Sequence, residues 1–280
     1  MSTLLIGFDS AWTPTHSGGI VGALRHDDGS YRELGPPKVV NYERSECIIL
    51  ELQSEYAPLS TIIALDQPII VPNATGQRPV EHLVGSPVGA RNGGVLSSNT
   101  GIRSMFGGEA PVWQFLSQFG GAADPLGFAP GTRVFETYPV LAMIALGWMV
   151  IDARPTGRLP KYNPKRRNAF AIDEWRHVCA LASTELQRRG LTETAAWVDA
   201  IAQKDKPRKH DQDCLDACLC LLVAVHLIEG DECLMVGDLA TGYILVPDSE
   251  VLRLELETRC SVTGRAHAEW VRVFRFLAPA

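Results

Sequence analysis

Short apolar runs that stop on a single carboxylate recur along the chain and predict buried strands. Residues 4–9 form a run that ends on Asp9, residues 60–66 form one that ends on Asp66, and Glu136 lies near the end of a third at 132–139. Runs of this length bounded by turns are typical of strands inside a sheet. Chemistry in an open α/β sheet collects at the carboxyl ends of such strands, so these acids are candidate site residues. For each one alone, capping of a turn is the alternative.

The segments between these runs predict a mixed sheet. Residues 17–25 and 31–41 predict two strands joined by the turn Asp27-Asp28-Gly29, and Gly35-Pro36-Pro37 predicts a bulge or an edge position in the second of them. With the first strand they form a three-stranded antiparallel meander. Helical spacing at 43–56 places a helix before the strand at 60–66, which is therefore expected beside the first strand and parallel to it. Asp9 and Asp66 are then expected to emerge side by side.

A glycine-rich insertion at 67–131 interrupts this pattern. Seven glycines lie between residues 85 and 108, together with Arg91 and Arg103. Loops this long inside a compact domain are usually binding loops or lids, and a disordered linker is the alternative. We interpret the insertion as a lid within a single domain at 1–280, with a short helix at 111–119.

The second half of the chain predicts helices at 140–146, 172–189, 192–203 and 211–229, a loop at 152–168, and strands at 242–247 and 270–277. In the helix at 211–229, Asp213 and Asp216 are three residues apart and share one face, while the positions that follow are apolar. A buried carboxylate pair without a partner cation is costly. Asp211 is explained as the N-cap and Asp213 partly by the helix dipole, but Asp216 has no such explanation.

Composition limits the classes of partner. The chain is 46% hydrophobic and 21% charged, and its net charge of −6 argues against a protein coated in positive charge, although a local basic groove remains compatible with it. Two basic loops precede the helices at 172–189 and 211–229. Their members are Lys161, Lys165, Arg166 and Arg167 in the first loop, and Lys204, Lys206, Arg208 and Lys209 in the second.

These basic residues are candidate phosphate contacts. The residues predicted to bind substrate are Arg91, Arg103, Lys161, Lys165, Arg208 and Lys209. Positive charge beside a carboxylate cluster is what a nucleic-acid backbone requires, and glycine amides in the insertion could add to it. Loops that are merely solvated are the alternative.

The cysteines and the first residues indicate a cytoplasmic protein. The chain has 7 cysteines, an odd number, so we expect free thiols in a reducing compartment. Cys214, Cys218 and Cys220 lie within one apolar helix, which favours small buried side chains over a zinc site. We find no signal peptide and no apolar run of roughly 18 residues, the length that would predict a membrane span.

The acidic residues share one type of ligand atom. They are Asp9, Asp66, Glu136, Asp213 and Asp216. Ligand sets made only of oxygen suit Mg²⁺ or Mn²⁺ rather than zinc or copper. Two such ions can activate a water and stabilise the leaving oxygen in phosphodiester cleavage. The combination therefore predicts a metal site that no single residue suggests.

The order of elements resembles the ribonuclease-H-like fold, in which a meander, a helix and further strands precede an acidic helix. The first-strand Asp, the acid ending the strand at 60–66 and the Asp-x-x-Asp pair are similar to the metal ligands of RuvC-type resolvases. More closely, the chain resembles the bacterial and archaeal family called domain of unknown function 429, predicted ribonuclease-H-like nucleases. The matching segments are Gly7-Phe8-Asp9, Ala64-Leu65-Asp66-Gln67-Pro68, Phe135-Glu136-Thr137-Tyr138-Pro139, Asp213-Cys214-Leu215-Asp216-Ala217 and Gly242-Tyr243-Ile244.

The resemblance implies a two-metal nuclease acting on DNA or RNA. Asp9, Asp66 and Asp216 are then the core ligands, Asp213 the fourth ligand or the group that orients water, and Glu136 an outer candidate. A binding module that keeps the fold without cleaving is the main alternative. An actin-like or sugar-kinase ATPase is less favoured, because it needs a second copy of the sheet and adenosine loops.

Overall fold

The computed structural model describes residues 2–127, 131–166 and 169–276. The strands are β1 (Ser2–Asp9), β2 (Gly18–His26), β3 (Tyr31–Glu33), β4 (Lys38–Val40), β5 (Ser60–Asp66), β6 (Gly131–Glu136), β7 (Glu232–Asp238), β8 (Gly242–Pro247) and β9 (Val271–Arg275). The helices are α1 (Tyr42–Tyr56), α2 (Pro79–Ala90), α3 (Arg103–Phe106), α4 (Pro111–Gln118), α5 (Pro139–Ala145), α6 (Ile172–Arg188), α7 (Thr192–Ala202), α8 (Lys209–Ile228), α9 (Glu250–Val262) and α10 (His267–Trp270).

A six-stranded mixed sheet, flanked by helices, forms the main layer. Its order is β3-β2-β1-β5-β6, and β4 pairs with β2 beside β3. The pairing of β1 with β2 is antiparallel, whereas β1–β5 and β5–β6 are parallel. Asp9 and Asp66 are direct partners in the β1–β5 register. The predicted meander, the parallel β1–β5 pair and the juxtaposition of these two carboxylates are confirmed.

The third strand of the meander is divided into two pieces. Both β3 and β4 pair with β2, at different points along it. Gly35-Pro36-Pro37 lies between them, where the prolines lack the backbone N–H needed to continue the ladder. The predicted interruption is therefore a break in the strand.

Helix α8 packs directly against the centre of this sheet. Its residues are buried throughout Asp211 to Ile228, as expected for a helix that is apolar on all sides. Two glycines make the close approach possible. A Cβ on Gly7 of β1 would lie 2.1 Å from the Ala217 carbonyl oxygen, and one on Gly19 of β2 would lie 2.4 Å from the Asp213 carbonyl oxygen. The backbone of α8 therefore packs directly on β1 and β2 at these two glycines.

A second sheet of three strands, ordered β8-β7-β9, follows α8. The strand predicted at 242–247 is confirmed as β8. The prediction at 270–277 corresponds to β9, except that Leu277 lies outside the described residues. Strand β7 and helix α9 were not predicted. A parallel bridge between Thr137 and Leu245 joins this sheet to the end of β6.

The insertion contains more helix than its glycines suggest. Helix α2 begins at Pro79 and includes Gly85, Pro87 and Gly89, yet it buries Val80, Leu83, Val84 and Val88. Its apolar face against the core outweighs the low helix propensity of glycine and proline. The predicted helix at 111–119 corresponds to α4. The role of the insertion as a lid stays a prediction.

The cysteines are free thiols, and all except Cys47 are buried. Within the described ranges, we find no helix with the length and apolar character needed to cross a bilayer.

Candidate functional site

Four aspartates from three elements line one cavity of about 700 Å³. Asp9 and Asp66 end the neighbouring parallel strands β1 and β5, and Asp213 and Asp216 come from the first turns of α8. The side chains of paired residues in a parallel ladder lie on the same face, so Asp9 and Asp66 point to the same side of the sheet. We call this space the aspartate cavity.

The start of α8 decides which of its acids face the cavity. The helix begins at Lys209, so the prediction that Asp211 is the N-cap is wrong. Arg208 occupies that position, and the Asp211 carboxylate accepts a hydrogen bond from its backbone N–H at 2.8 Å. Asp211 also binds the Lys204 ammonium at 2.6 Å. The Asp211 carboxylate therefore binds groups at the end of the helix, while Asp213 and Asp216 face the cavity.

Asp216 is held by two uncharged donors. The Tyr162 hydroxyl donates to its Oδ1 at 2.8 Å, and Gln212 Nε2 donates to its Oδ2 at 2.8 Å. Gln212 lies one turn before Asp216, so the two side chains share a helix face. These contacts fix the orientation of the carboxylate without neutralising its charge.

The Lys209 ammonium forms an ion pair with Asp213. Burial lowers the pKa of Lys209, but the neighbouring aspartates outweigh it and hold the pKa above its usual value. Lys209 lines the aspartate cavity, and its predicted contact with substrate stays a prediction. Its charge already serves the carboxylates.

The cavity is electrostatically unfavourable for four carboxylates at once. Burial raises the pKa of Asp9 and of Asp66 well above the usual range, and neighbouring carboxylates raise both further. Burial also raises the pKa of Asp216 to about 6, against the opposing effect of Lys209. Such perturbed acids in a cleft are typical of functional sites.

The charge of these acids is only partly compensated. Among the described residues, no group of three or more His, Cys, Asp and Glu side chains is arranged to hold a metal ion. The carboxylates that could hold one after side-chain movement are those of Asp9, Asp66, Asp213 and Asp216.

Glu136 is placed apart from the four aspartates. It pairs with Leu65 rather than with Asp66 in the β5–β6 register, and this offset of one residue turns it to the opposite face of the sheet. Its two oxygens accept from the Arg78 guanidinium at 2.6 and 2.9 Å, and one also accepts from the Ile69 backbone N–H. Its geometry is that of a buried structural ion pair.

The predicted phosphate contacts lie in different places. Lys165, Arg208 and Lys209 line the aspartate cavity. Lys161 and Arg166 line a neighbouring cavity of about 240 Å³, which shares Tyr162 and Gln212 with the first. Arg167 lies outside the described residues.

The arginines of the insertion do not reach these cavities. Arg91 is 2% exposed, and its guanidinium forms a bidentate ion pair with Glu255, so its role as a substrate contact stays a prediction that this packing does not favour. Arg103 is exposed at the start of α3 and is not among the described lining residues.

Sequence reasoning missed two residues that shape the site. Gln212 could have been found, because it lies four positions before Asp216 on the predicted helix. Tyr162 lies in an irregular segment without periodicity, so no local signal connects it with Asp216.

The chain was compared with known proteins. A family model described as "Protein of unknown function (DUF429)" matches residues 7–241, most of the chain. The chain belongs to this family. The DUF429 match begins at Gly7, two residues before Asp9, and includes all four aspartates of the cavity. Neither the curated proteins nor the solved structures give a match.

Proposed function

We propose that this DUF429 protein is a nuclease that hydrolyses phosphodiester bonds of DNA or RNA with Mg²⁺ or Mn²⁺. The observation that carries the proposal is the convergence of Asp9, Asp66, Asp213 and Asp216 on one cavity that also contains Lys165 and Arg208. Oxygen-only acidic groups favour hard divalent cations, and nearby basic groups favour a phosphate backbone.

The sheet supports a ribonuclease-H-like assignment within this proposal. An antiparallel meander leads into two parallel strands, and an acidic helix crosses the central pair. The resemblance to RuvC-type metal ligands rests on the same positions. The assignment remains part of the proposal, since fold alone does not specify a reaction.

The donor set fits a divalent cation in chemistry and in charge. Its four carboxylates provide oxygen ligands, and burial raises the pKa of three of them, so a cation would relieve their mutual repulsion. Binding requires side-chain movement and competes with Lys209 for Asp213. Bound there, Mg²⁺ or Mn²⁺ supplies an activated water and a positive charge that stabilises the leaving oxygen.

The other side chains of the aspartate cavity orient Asp216 and bind the substrate phosphates. Tyr162 and Gln212 hold Asp216 in a fixed orientation. Lys165 and Arg208 lie where they can neutralise the substrate phosphates at the cavity wall. Arg208 also precedes α8, whose N-terminus favours negative charge.

A binding module without catalysis is the second candidate. The ion pair between Lys209 and Asp213 favours it, because an ammonium among the carboxylates reduces the need for a metal ion. This module would bind nucleic acid or another ligand in the same cavity without cutting it.

Cleavage assays distinguish the nuclease from the binding module. Purified protein with Mn²⁺ should cut at least one of single-stranded, duplex, hybrid or branched DNA or RNA. Asp9→Asn should lower the rate by more than about 100-fold, since groups that only orient metal ligands already contribute roughly 10- to 100-fold.

Asp28→Asn, at an exposed hairpin turn, is the matched control and should leave the rate unchanged. Binding of these substrates without any cleavage in Mn²⁺ favours the binding module. ATP hydrolysis that Asp9→Asn does not change contradicts both candidates.

A further inference from the structure

A second cavity of about 280 Å³ opens beside the aspartate cavity. The two share Trp12, Asp66 and Met105 in their walls. A ligand bound at the aspartates can therefore extend into this space without leaving the protein surface. We call it the apolar cavity, because side chains such as Val95, Leu96 and Tyr138 form much of its wall.

The charges of the apolar cavity argue against a phosphate. Arg78, the arginine among its described lining residues, is bound to both Glu81 and Glu136, with shortest distances of 2.8 and 2.6 Å. Asp66 adds a further acid at the shared wall. The described lining therefore holds carboxyl groups and a guanidinium that is already paired with two of them, so it offers no free cation to a phosphate and favours a neutral group.

Ser98 provides an unused polar group in this wall. It is 1% exposed, and among the described residues its Oγ has no hydrogen-bond partner. Its backbone N–H is bound to Glu81, so the residue itself is held in place. Buried hydroxyls are almost always paired, and an unpaired one beside a cavity points to a ligand.

Trp12 stands between the two cavities in an uncommon conformation. Its φ of 57° lies in the left-handed region, which a bulky residue rarely adopts. Its indole contacts Phe106 edge-on at 6.0 Å between ring centroids. Strain of this kind persists where the surroundings fix it, often at ligand-binding positions.

We propose that the apolar cavity receives one nucleobase of the substrate, and that the protein therefore acts on unpaired nucleotides. The proposal rests on the proposed function, because it takes the aspartate cavity as the place of the phosphodiester. The base contacts the aromatic wall of Trp12 and Tyr138 and accepts or donates a hydrogen bond at Ser98. The adjoining phosphates remain on the Lys165 and Arg208 side.

The size and the aromatic lining of the apolar cavity are compatible with one nucleobase. The cavity lies near the lower limit of small-molecule pockets, about 300 Å³, which suits one heterocycle. A base within a duplex is stacked and paired, so only an unpaired or extruded base can enter. Stacking of a base on an aromatic side chain contributes roughly 1–3 kcal/mol without selecting a sequence.

Binding without metal tests the proposal separately from cleavage. In EDTA, a short single-stranded oligonucleotide carrying 2-aminopurine is titrated with protein, as DNA and as RNA. We expect its fluorescence to change on binding. An abasic oligonucleotide of equal length and charge should bind at least about tenfold more weakly, since it lacks the bases that stack.

Two substitutions locate the base. Leu96→Trp places a larger side chain at the cavity wall and should weaken binding of the base-containing probe about tenfold, toward that of the abasic probe, because it fills the space in which the base would stack. Leu254→Trp, a similarly exposed leucine on α9, is the matched control and should have no effect. Ser98→Ala should weaken binding several-fold by loss of one hydrogen bond.

Equal affinity for base-containing and abasic probes overturns the proposal, as does unchanged binding by both Leu96→Trp and Ser98→Ala. If those results accompany Mn²⁺-dependent cleavage, the nuclease assignment stands and the base site alone fails. If the base-dependent binding appears without cleavage, the base site stands and the nuclease assignment fails.

Discussion

At the scale of single residues, the four aspartates are a source of instability as well as of chemistry. Burial in the folded protein raises the pKa of Asp216 to about 6, above the 3.8 of an exposed aspartate. The folded protein therefore binds a proton more tightly than the unfolded chain does between these two values. The contribution of Asp216 to the free energy of unfolding is then most favourable at low pH and declines as the pH rises through about 6.

Asp216→Asn should consequently stabilise the metal-free protein at neutral pH, by up to about 3 kcal/mol. The gain should shrink as the pH falls below about 6, where the parent carboxylate becomes protonated. Urea denaturation in EDTA at a series of pH values measures the difference between variant and parent.

Asp28→Asn is a control, because the pKa of Asp28 is shifted in the opposite direction from that of Asp216. Hydrogen bonds from Ser30 lower the pKa of Asp28, so its contribution to stability is present at neutral pH and is lost on acidification. A stabilising effect of Asp216→Asn that is independent of pH contradicts the assigned pKa.

The ion pair with Arg78 gives Glu136, a predicted site residue, a structural role. Arg78→Met should lower the free energy of unfolding by about 3–5 kcal/mol, because it leaves Glu81 and Glu136 buried without a partner. Chemical denaturation near neutral pH measures the loss.

Arg44→Met removes an exposed ion pair with Glu51 and should change the free energy of unfolding by less than about 1 kcal/mol. A small effect of Arg78→Met would mean that the two glutamates are protonated or otherwise paired, and Glu136 would return as a candidate for the site.

At the scale of elements, strand register separates what the sequence predicts from what it does not. Apolar runs ending on acids predict β1, β5 and β6 correctly, and the meander places Asp9 beside Asp66. The offset that turns Glu136 away depends on the pairing of β5 with β6, which no local pattern specifies. Arg91 likewise finds Glu255 only because α2 packs on α9.

Helix α2 was not predicted, because its formation also depends on tertiary contacts. Its glycines and prolines lower its intrinsic propensity, and its stability comes from tertiary burial of one face. In the second sheet, β8 and β9 correspond to predicted strands, and β7 was not predicted. The apolar run in β7 is short, and periodicity alone does not assign such a run to a strand.

Gly7→Ala tests the contact between α8 and β1. Its Cβ would lie 2.1 Å from the Ala217 carbonyl oxygen and 2.4 Å from the Leu221 nitrogen, so the helix backbone must shift. We expect the free energy of unfolding to fall by about 1–3 kcal/mol, as for other overpacked cores. Cleavage should fall as well, because Asp213 and Asp216 move with the helix.

Gly85→Ala is the matched control, since a Cβ there meets no described atom within 4 Å. This change within α2 should stabilise the protein slightly, by about 0.5–1 kcal/mol. Equal effects of the two substitutions would contradict the close packing of α8 on β1.

At the scale of the whole molecule, a net charge of −6 coexists with basic groups at one cavity. Lys165 and Arg208 line the aspartate cavity, so binding of nucleic acid depends on local rather than total charge. Lys165→Gln and Arg208→Gln should each weaken binding across sequences and reduce the slope of log K against log salt by about 1.

Lys206→Gln is the control for this measurement, because Lys206 is exposed and is absent from the described lining of the aspartate cavity. Titrations in EDTA at several salt concentrations give the slopes. A slope that no substitution changes would place the phosphate path elsewhere on the surface.

The packing of α8 on Gly7 and Gly19 also determines when the site can form during synthesis. A nascent chain carries Asp9 and Asp66 early, but their partners lie on a helix that begins only at Lys209. Contacts between such distant segments form after the intervening chain has been made. A truncated product that ends before this helix lacks half of the carboxylates and the element that covers the central strands. Under the proposed function, an interrupted chain therefore cannot cut nucleic acid before α8 has been made.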